Sequence, residues 1–223
     1  MKGQNHHLEL YKIDGVGIDL TRFRPVYSKD EKNNLREMHG FGSEDFVLIY
    51  TAEFIPRKNH KLIFDILPTL KEYIPELKMI LCGKGELLDK YQSLAEKNGM
   101  DSYIHFTGYT TDVPEWYRLS DVLVMPSFQE GLPIAMVEAV ATGLPAVASN
   151  IRGQVDIIQD CVNGFLFKPD DANSFIKAIY TLYKNPQLRY EMSRRNVELA
   201  KRFSVKSAIS SMAKIYLSVM GNN

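Results

Sequence analysis

Six short apolar runs, at residues 46–51, 77–82, 103–107, 121–125, 145–149 and 164–167, recur along the chain, and segments with helical periodicity separate most of them. This alternation is the strongest constraint on the fold. Two parallel strands cannot be joined by a tight turn; they need a crossover of about a dozen residues or more, usually a helix. Regular strand–helix alternation therefore predicts the α/β class, here a single Rossmann-like, doubly wound parallel sheet of about six strands. Helices are expected over 61–73 with a disturbance at Pro68, then 87–97, 114–119, 133–142 and 171–183, followed by two trailing helices over 187–201 and 205–219. The last carries Ile209, Met212, Ile215, Tyr216 and Val219 at helical spacing, an apolar stripe expected to be partly uncovered.

Within the stretch 133–142 the only charged residue is Glu138, and a second carboxylate, Glu130, stands eight positions earlier. Pro133 at the start and Gly143 just past the end suit a short helix, and its apolar character on every face predicts burial. An ionised carboxylate placed there needs a lysine, an arginine, backbone N–H groups or the hydroxyls of a ligand. In an open parallel sheet a ligand sits beyond the carboxyl ends of the strands. The loop 126–132 enters the helix at that place, and its backbone from Gly131 to Ile134 offers an anion site at the helix start. Glu138 would lie about 6 Å further along the axis, at about 1.5 Å per residue, a spacing that suits a diphosphate and the hydroxyls of its ribose.

The stretch from Asp121 to Gly153, with Pro126-Ser127, Glu130-Gly131-Leu132-Pro133, Glu138-Ala139 and Gly143-Leu144-Pro145, resembles the Glu-x7-Glu region of the group 1 retaining glycosyltransferases. Gly17-Ile18-Asp19 with Phe23, Lys58-Asn59, Gly83-Lys84-Gly85, Phe106-Thr107-Gly108, Asp112-Val113-Pro114 and Asn163-Gly164-Phe165-Leu166 extend the similarity over nearly the whole chain. The resemblance implies the GT-B architecture, in which two Rossmann-like domains face each other across a cleft. It also implies transfer of a sugar from a nucleotide-sugar, UDP-sugar being the commonest donor, with retention and without a required metal or cofactor. Glu138 would hold the ribose hydroxyls and Glu130 hydroxyls of the donor hexose. The backbone of Gly131, Leu132, Pro133 and Ile134 would receive phosphate and sugar oxygens, Gly83 would line the nucleotide cleft in a tight turn, and Lys58 would offset charge building on the leaving diphosphate. Glu53 stands where many members carry a diphosphate-binding arginine; either Arg57 supplies that charge, or Glu53 faces away and orients Lys58. Asp156 stands where the family usually has a glutamate.

A two-domain enzyme of this kind needs about 150–200 residues per domain, so a chain of 223 residues is expected to hold only the donor-binding half. The expected division is a lead-in over 1–14, a nucleotide-sugar domain over 15–203 and a C-terminal helix over 204–223 that packs on the acceptor-binding half. The implied partners are the nucleotide-sugar, that second half or a partner subunit, and a saccharide or lipid-linked acceptor. Two other readings stay open: a non-catalytic nucleotide-sugar-binding subunit, or an epimerase or NAD-dependent Rossmann enzyme. Against the last, Gly83-Lys84-Gly85 lacks the third glycine of a dinucleotide fingerprint. Lysine plus arginine equals aspartate plus glutamate at 27 each, which argues against nucleic acid. No apolar run approaches the about 20 residues of a membrane span. Scattered histidines and two isolated cysteines suggest no metal site, and the composition suits a cytoplasmic protein, with peripheral association at the inner face of the membrane when complete.

Overall fold

A computed structural model describes residues 17–221 together with Tyr11 and Ile13. The expected lead-in, apart from those two residues, lies outside the described residues. The strands are β1 (Phe46–Thr51), β2 (Leu77–Cys82), β3 (Ile104–Gly108), β4 (Val122–Met125), β5 (Ala146–Ser149) and β6 (Gly164–Phe167). They form one sheet in the order β3-β2-β1-β4-β5-β6, parallel at every pairing. This is the doubly wound order, whose direction of winding reverses between β1 and β4. The predicted strands agree with it to within a residue or two, because β1, β2, β4 and β5 are almost wholly buried and read as continuous apolar runs.

Eight α-helices cover the described residues: α1 (Lys29–Met38), α2 (His60–Tyr73), α3 (Leu88–Lys97), α4 (Val113–Leu119), α5 (Ile134–Ala141), α6 (Ala172–Lys184), α7 (Pro186–Ala200) and α8 (Val205–Gly221). One layer is built by α2 packing on α6 and, through Phe64 against Tyr91 at 4.7 Å, on α3. In the other, α1 packs on α4 and α5 on α7. Right-handed crossovers on either side of the switch point put the two layers on opposite faces. The helix α2 continues through Pro68 without interruption. Helix α1 was not expected from periodicity; Ser28, whose side chain accepts from the Glu31 backbone N–H, is its start signal.

The helix α5 is not enclosed on every side. Ile134 is 47% exposed and Glu138 half-buried, while Met136, Val137, Ala139 and Val140 are buried. Residues four apart share a helix face, so Ile134 and Glu138 form the one open side of an otherwise sunken helix. At the other end of the chain, Ile18 donates to Phe203 O at 2.7 Å and Val205 to Ile18 O at 3.1 Å. The start of the described domain and the root of α8 therefore meet at one point. On α8 the expected apolar stripe is exposed at Ile209, Tyr216 and Val219.

Candidate functional site

Pairing between β1 and β4 covers only Leu48–Ile49 against Val122–Leu123, whereas β1 and β2 pair along six residues. The loops leaving the carboxyl ends of β1 and β4 meet at the switch point, where an open parallel sheet takes its ligand. Lys58 comes from the short 3₁₀ turn after β1 and Glu130 from the loop after β4. Lys58 Nζ lies 2.6 and 2.8 Å from the two carboxylate oxygens of Glu130. Both side chains are mostly shielded, with 15% and 6% of their surface exposed. Glu130 is thus neither an ordinary loop carboxylate nor a solvated one.

Three contacts fix this pair. Ser127 Oγ donates to Glu130 at 2.7 Å, and the hydroxyl of Tyr50, fully buried on β1, lies 2.8 Å from Ser127 Oγ and 2.8 Å from the Lys58 carbonyl. Burial pushes the Tyr50 phenol far above its ordinary pKa, so it stays protonated and able to donate. Asn59 adopts a left-handed conformation, and its side-chain amide donates to Pro126 O at 3.0 Å and Pro169 O at 2.8 Å. It occupies the N-cap position of α2 without making the side-chain cap; its amide joins the loops that follow β1, β4 and β6. The Phe128 N–H donates to Arg57 O at 2.8 Å, closing the two loops together. Tyr50, Ser127 and the stapling role of Asn59 are invisible to motif reading, since each acts through a partner remote in sequence.

Glu138 lies half-buried on the open side of α5 and makes no ion pair among the described residues. Desolvation pushes its pKa up from 4.5 to about 7, opposed by the nearby Arg22 charge and the Tyr117 hydroxyl. Arg22, itself exposed, donates to Thr111 O at 2.8 Å, and Tyr117 donates to Ala135 O at 3.0 Å. A half-buried carboxylate without an ion-pair partner gains from any further hydrogen-bond donor brought to it. The proximity of Arg22 to Glu138 had no sequence signal, because their spacing exists only in the fold.

The backbone N–H groups of Gly131, Leu132, Ile134 and Ala135 form no hydrogen bond within the described chain; Met136 and Val137 close on Pro133 O. Pro133, expected among the backbone contributors, has no N–H to give and is the N-cap rather than the first helical residue. Its carbonyl starts the helix instead. Gly131 meets nothing within 4 Å where a side chain would begin, so its glycine leaves the surface open rather than relieving a clash. A cleft of about 630 Å³ opens over this loop, lined by Phe128 to Leu132, Ile151, Arg152 and Asp156. Asp156 thus reaches the cleft wall. On that wall Gly153, at φ +88°, would drive a Cβ to 2.0 Å from Gly131 O. Gln154, next to it, is fully buried with both amide atoms lacking a partner.

A Cβ on Gly83, at φ +150°, would meet Ala52 O at 1.9 Å; this glycine is required because the loops after β1 and β2 run side by side. Glu53 is exposed and does not orient Lys58, whose ammonium is held by Glu130 instead. Arg57 is exposed beside Lys58.

Residues 31–199 match a family model described as "Glycosyl transferases group 1". The chain is 40% identical over 209 residues to a Bacillus subtilis protein named "Putative glycosyltransferase EpsD", covering 94% of this chain and 55% of that protein. It is 27% identical over 210 residues to the Escherichia coli UDP-Gal:alpha-D-GlcNAc-diphosphoundecaprenol alpha-1,3-galactosyltransferase, covering 92% of this chain and 54% of the relative. The crystal structure of Anabaena HepE in complex with UDP superposes with a TM-score of 0.81 at 22% identity, over 91% of this chain and 56% of HepE. The chain therefore spans about half the length of the relatives it matches. The doubly wound sheet, the loops converging on its switch point and the extent of the match agree: the chain belongs to the group 1 glycosyltransferase family.

Proposed function

We propose that this chain is the donor-binding part of a retaining glycosyltransferase that takes a sugar from a nucleotide-sugar, UDP-sugar by preference, in the assembly of a glycan or polysaccharide. The single observation that carries the reading is the Lys58–Glu130 pair, which joins the loops after β1 and β4 just before the start of α5, where the N–H groups of Gly131, Leu132, Ile134 and Ala135 have no partner among the described residues. These groups and Glu138 each match a part of the donor. Glu138 accepts from the ribose hydroxyls, the N–H groups and the positive end of α5 receive diphosphate oxygens, and Lys58 neutralises the charge that grows on the departing nucleoside diphosphate. Glu130, already holding Lys58, turns its remaining acceptor positions to hexose hydroxyls. As the bond from the anomeric carbon to the diphosphate oxygen breaks, an acceptor hydroxyl adds to that carbon and passes its proton to the departing diphosphate. No metal is assigned a part in these steps, since Lys58 and the helix start supply the positive charge.

The relatives support the nucleotide and the setting: the Escherichia coli enzyme is named for UDP-galactose and a diphosphoundecaprenol-linked acceptor, and HepE was solved with UDP. The acceptor, a saccharide or a lipid-linked saccharide, is bound by a second domain or partner subunit, and transfer takes place in the cytoplasm or at the inner membrane face. Among the described residues no helix is long and apolar enough to cross a membrane. Calorimetric titration of the chain with UDP, GDP, ADP and NAD, without metal and then with magnesium, tests the reading. Metal-independent binding of one nucleoside diphosphate is the expected result; binding of NAD alone would refute it. The chain by itself should bind donor without turnover, and glycosyl transfer to an added acceptor would show that no second domain is needed.

A further inference from the structure

A second, larger cleft of about 890 Å³ lies at the opposite end of the sheet, where Asp121 and Pro145 lead into β4 and β5. Four arginines line it: Arg118 at the end of α4, and Arg189, Arg194 and Arg195 along α7. None of the four is ion-paired among the described residues. The acids around it are engaged elsewhere. Asp121 is held at 2.7 Å by Lys32 and at 2.7 Å by Arg36, and Glu198 by Lys201. Glu31, which feels the Arg118 charge, accepts from both terminal nitrogens of Arg24, at 2.8 and 3.2 Å. Glu191 is bound by the Gln187 amide at 3.0 Å.

The resulting excess of positive charge is local, since the whole chain is formally neutral. Burial holds the Lys32 ammonium below its ordinary pKa, with a smaller push from Arg36 and Arg189, against the attraction of Asp121. Arg118 Nε is buried and has no acceptor. Arg189 donates to the carbonyls of Leu182 and Tyr183, and Arg195 to that of Val162, which orders their guanidinium groups without neutralising them. Gly143, at φ +84°, packs closely on α7, where a Cβ would lie 2.6 Å from Ser193 Oγ.

We propose that this cleft is an anion site, separate from the donor site, for a ligand bearing a phosphate or diphosphate group. Guanidinium groups bind such oxyanions through paired N–H donors, and several that lack carboxylate partners in one concave site are complementary to a multiply charged anion. A soluble phosphate ester and the headgroup of an anionic lipid share this chemistry.

The test is calorimetric titration of the 223-residue chain with inorganic pyrophosphate, with and without saturating UDP. Parallel titrations use Arg118→Gln, the surface double variant Arg194→Gln/Arg195→Gln, and a charge-matched control on α8, Lys206→Gln/Lys214→Gln. Each arginine variant should weaken pyrophosphate about tenfold, while the control leaves it unchanged and UDP binding is the same in all. Pyrophosphate affinity equal in the parent and both arginine variants would overturn the proposal, as would equal losses in the control. Phosphatidylglycerol vesicles assign the source: retention that the arginine variants abolish, and that phosphatidylcholine vesicles do not reproduce, marks a lipid phosphate. Pyrophosphate binding without vesicle retention marks a soluble one.

Discussion

Replacing Glu138 by glutamine separates its electrostatic cost from its use. In the folded chain its carboxyl pKa is pushed from 4.5 up to about 7, chiefly by desolvation. Between these values the folded state holds the proton more tightly than the unfolded state, so stability is full below pH about 4.5 and declines as pH rises through about 7. The whole displacement is worth about 3 kcal/mol at about 1.4 kcal/mol per unit, and the open side of α5 lets solvent screen it to about 1–2 kcal/mol. Glutamine has the same shape and no charge to desolvate. Glu138→Gln should therefore match the parent at pH 4.5 and exceed it by about 1–2 kcal/mol at pH 8 in urea unfolding monitored by circular dichroism. The same variant should lose about 1–3 kcal/mol of UDP-sugar affinity, because an amide accepts less well from ribose hydroxyls than a carboxylate. Equal destabilisation at both pH values with unchanged affinity would refute the reasoning and make Glu138 a structural carboxylate satisfied by Tyr117.

Donor binding should pull the Glu138 pKa down and release part of a proton near pH 7, which appears as a dependence of binding heat on buffer ionisation enthalpy; no dependence would mean that the hydroxyls bind elsewhere. Lys58→Met should cost about 3–5 kcal/mol of stability by stranding the Glu130 charge, whereas Lys58→Met/Glu130→Leu should recover most of that stability and still bind no donor. His60, stacked at 4.1 Å on Phe54 with neither ring nitrogen hydrogen-bonded, has its pKa lowered to about 3 by burial. His60 accordingly withdraws stability as pH falls below about 6.5, opposite in sign to Glu138 over the same range, so the stability of His60→Phe relative to the parent should rise between pH 7 and pH 4; a difference that does not change with pH would refute this. Gly153→Ala should unfold the loop pairing, since its Cβ would meet Gly131 O at 2.0 Å, and native-like stability in this variant would refute the close approach.

The strands and most helices were legible in the sequence for a simple reason. A buried parallel strand such as 46–51 can hardly be anything but apolar, and the segments between strands show the 3.6-residue period of helices packed on one side. Local chemistry was equally readable where a residue acts through its own neighbours, as with Gly143 ending α5. Helix α1 escaped because only Leu35 and Arg36 of its residues are buried, which leaves too weak a periodicity to detect. Pro68 suggested a break that packing prevents: Leu62, Ile63, Ile66, Leu67 and Leu70 bury the helix against the sheet, and that burial outweighs one lost backbone bond.

At the site the division falls between residue type and juxtaposition. Sequence alone determined that two carboxylates and a lysine stand beside the carboxyl ends of adjoining strands, and resemblance supplied what such residues do. Tertiary structure alone decided that Glu130 is held by Lys58 and not by Arg57, that Glu53 points to solvent, and that Arg22 reaches the neighbourhood of Glu138. It also brought Arg118 beside three arginines of α7. The physical reason is range: helix and strand preferences act over a few residues, whereas charge pairing and desolvation depend on distances that exist only once the sheet has closed.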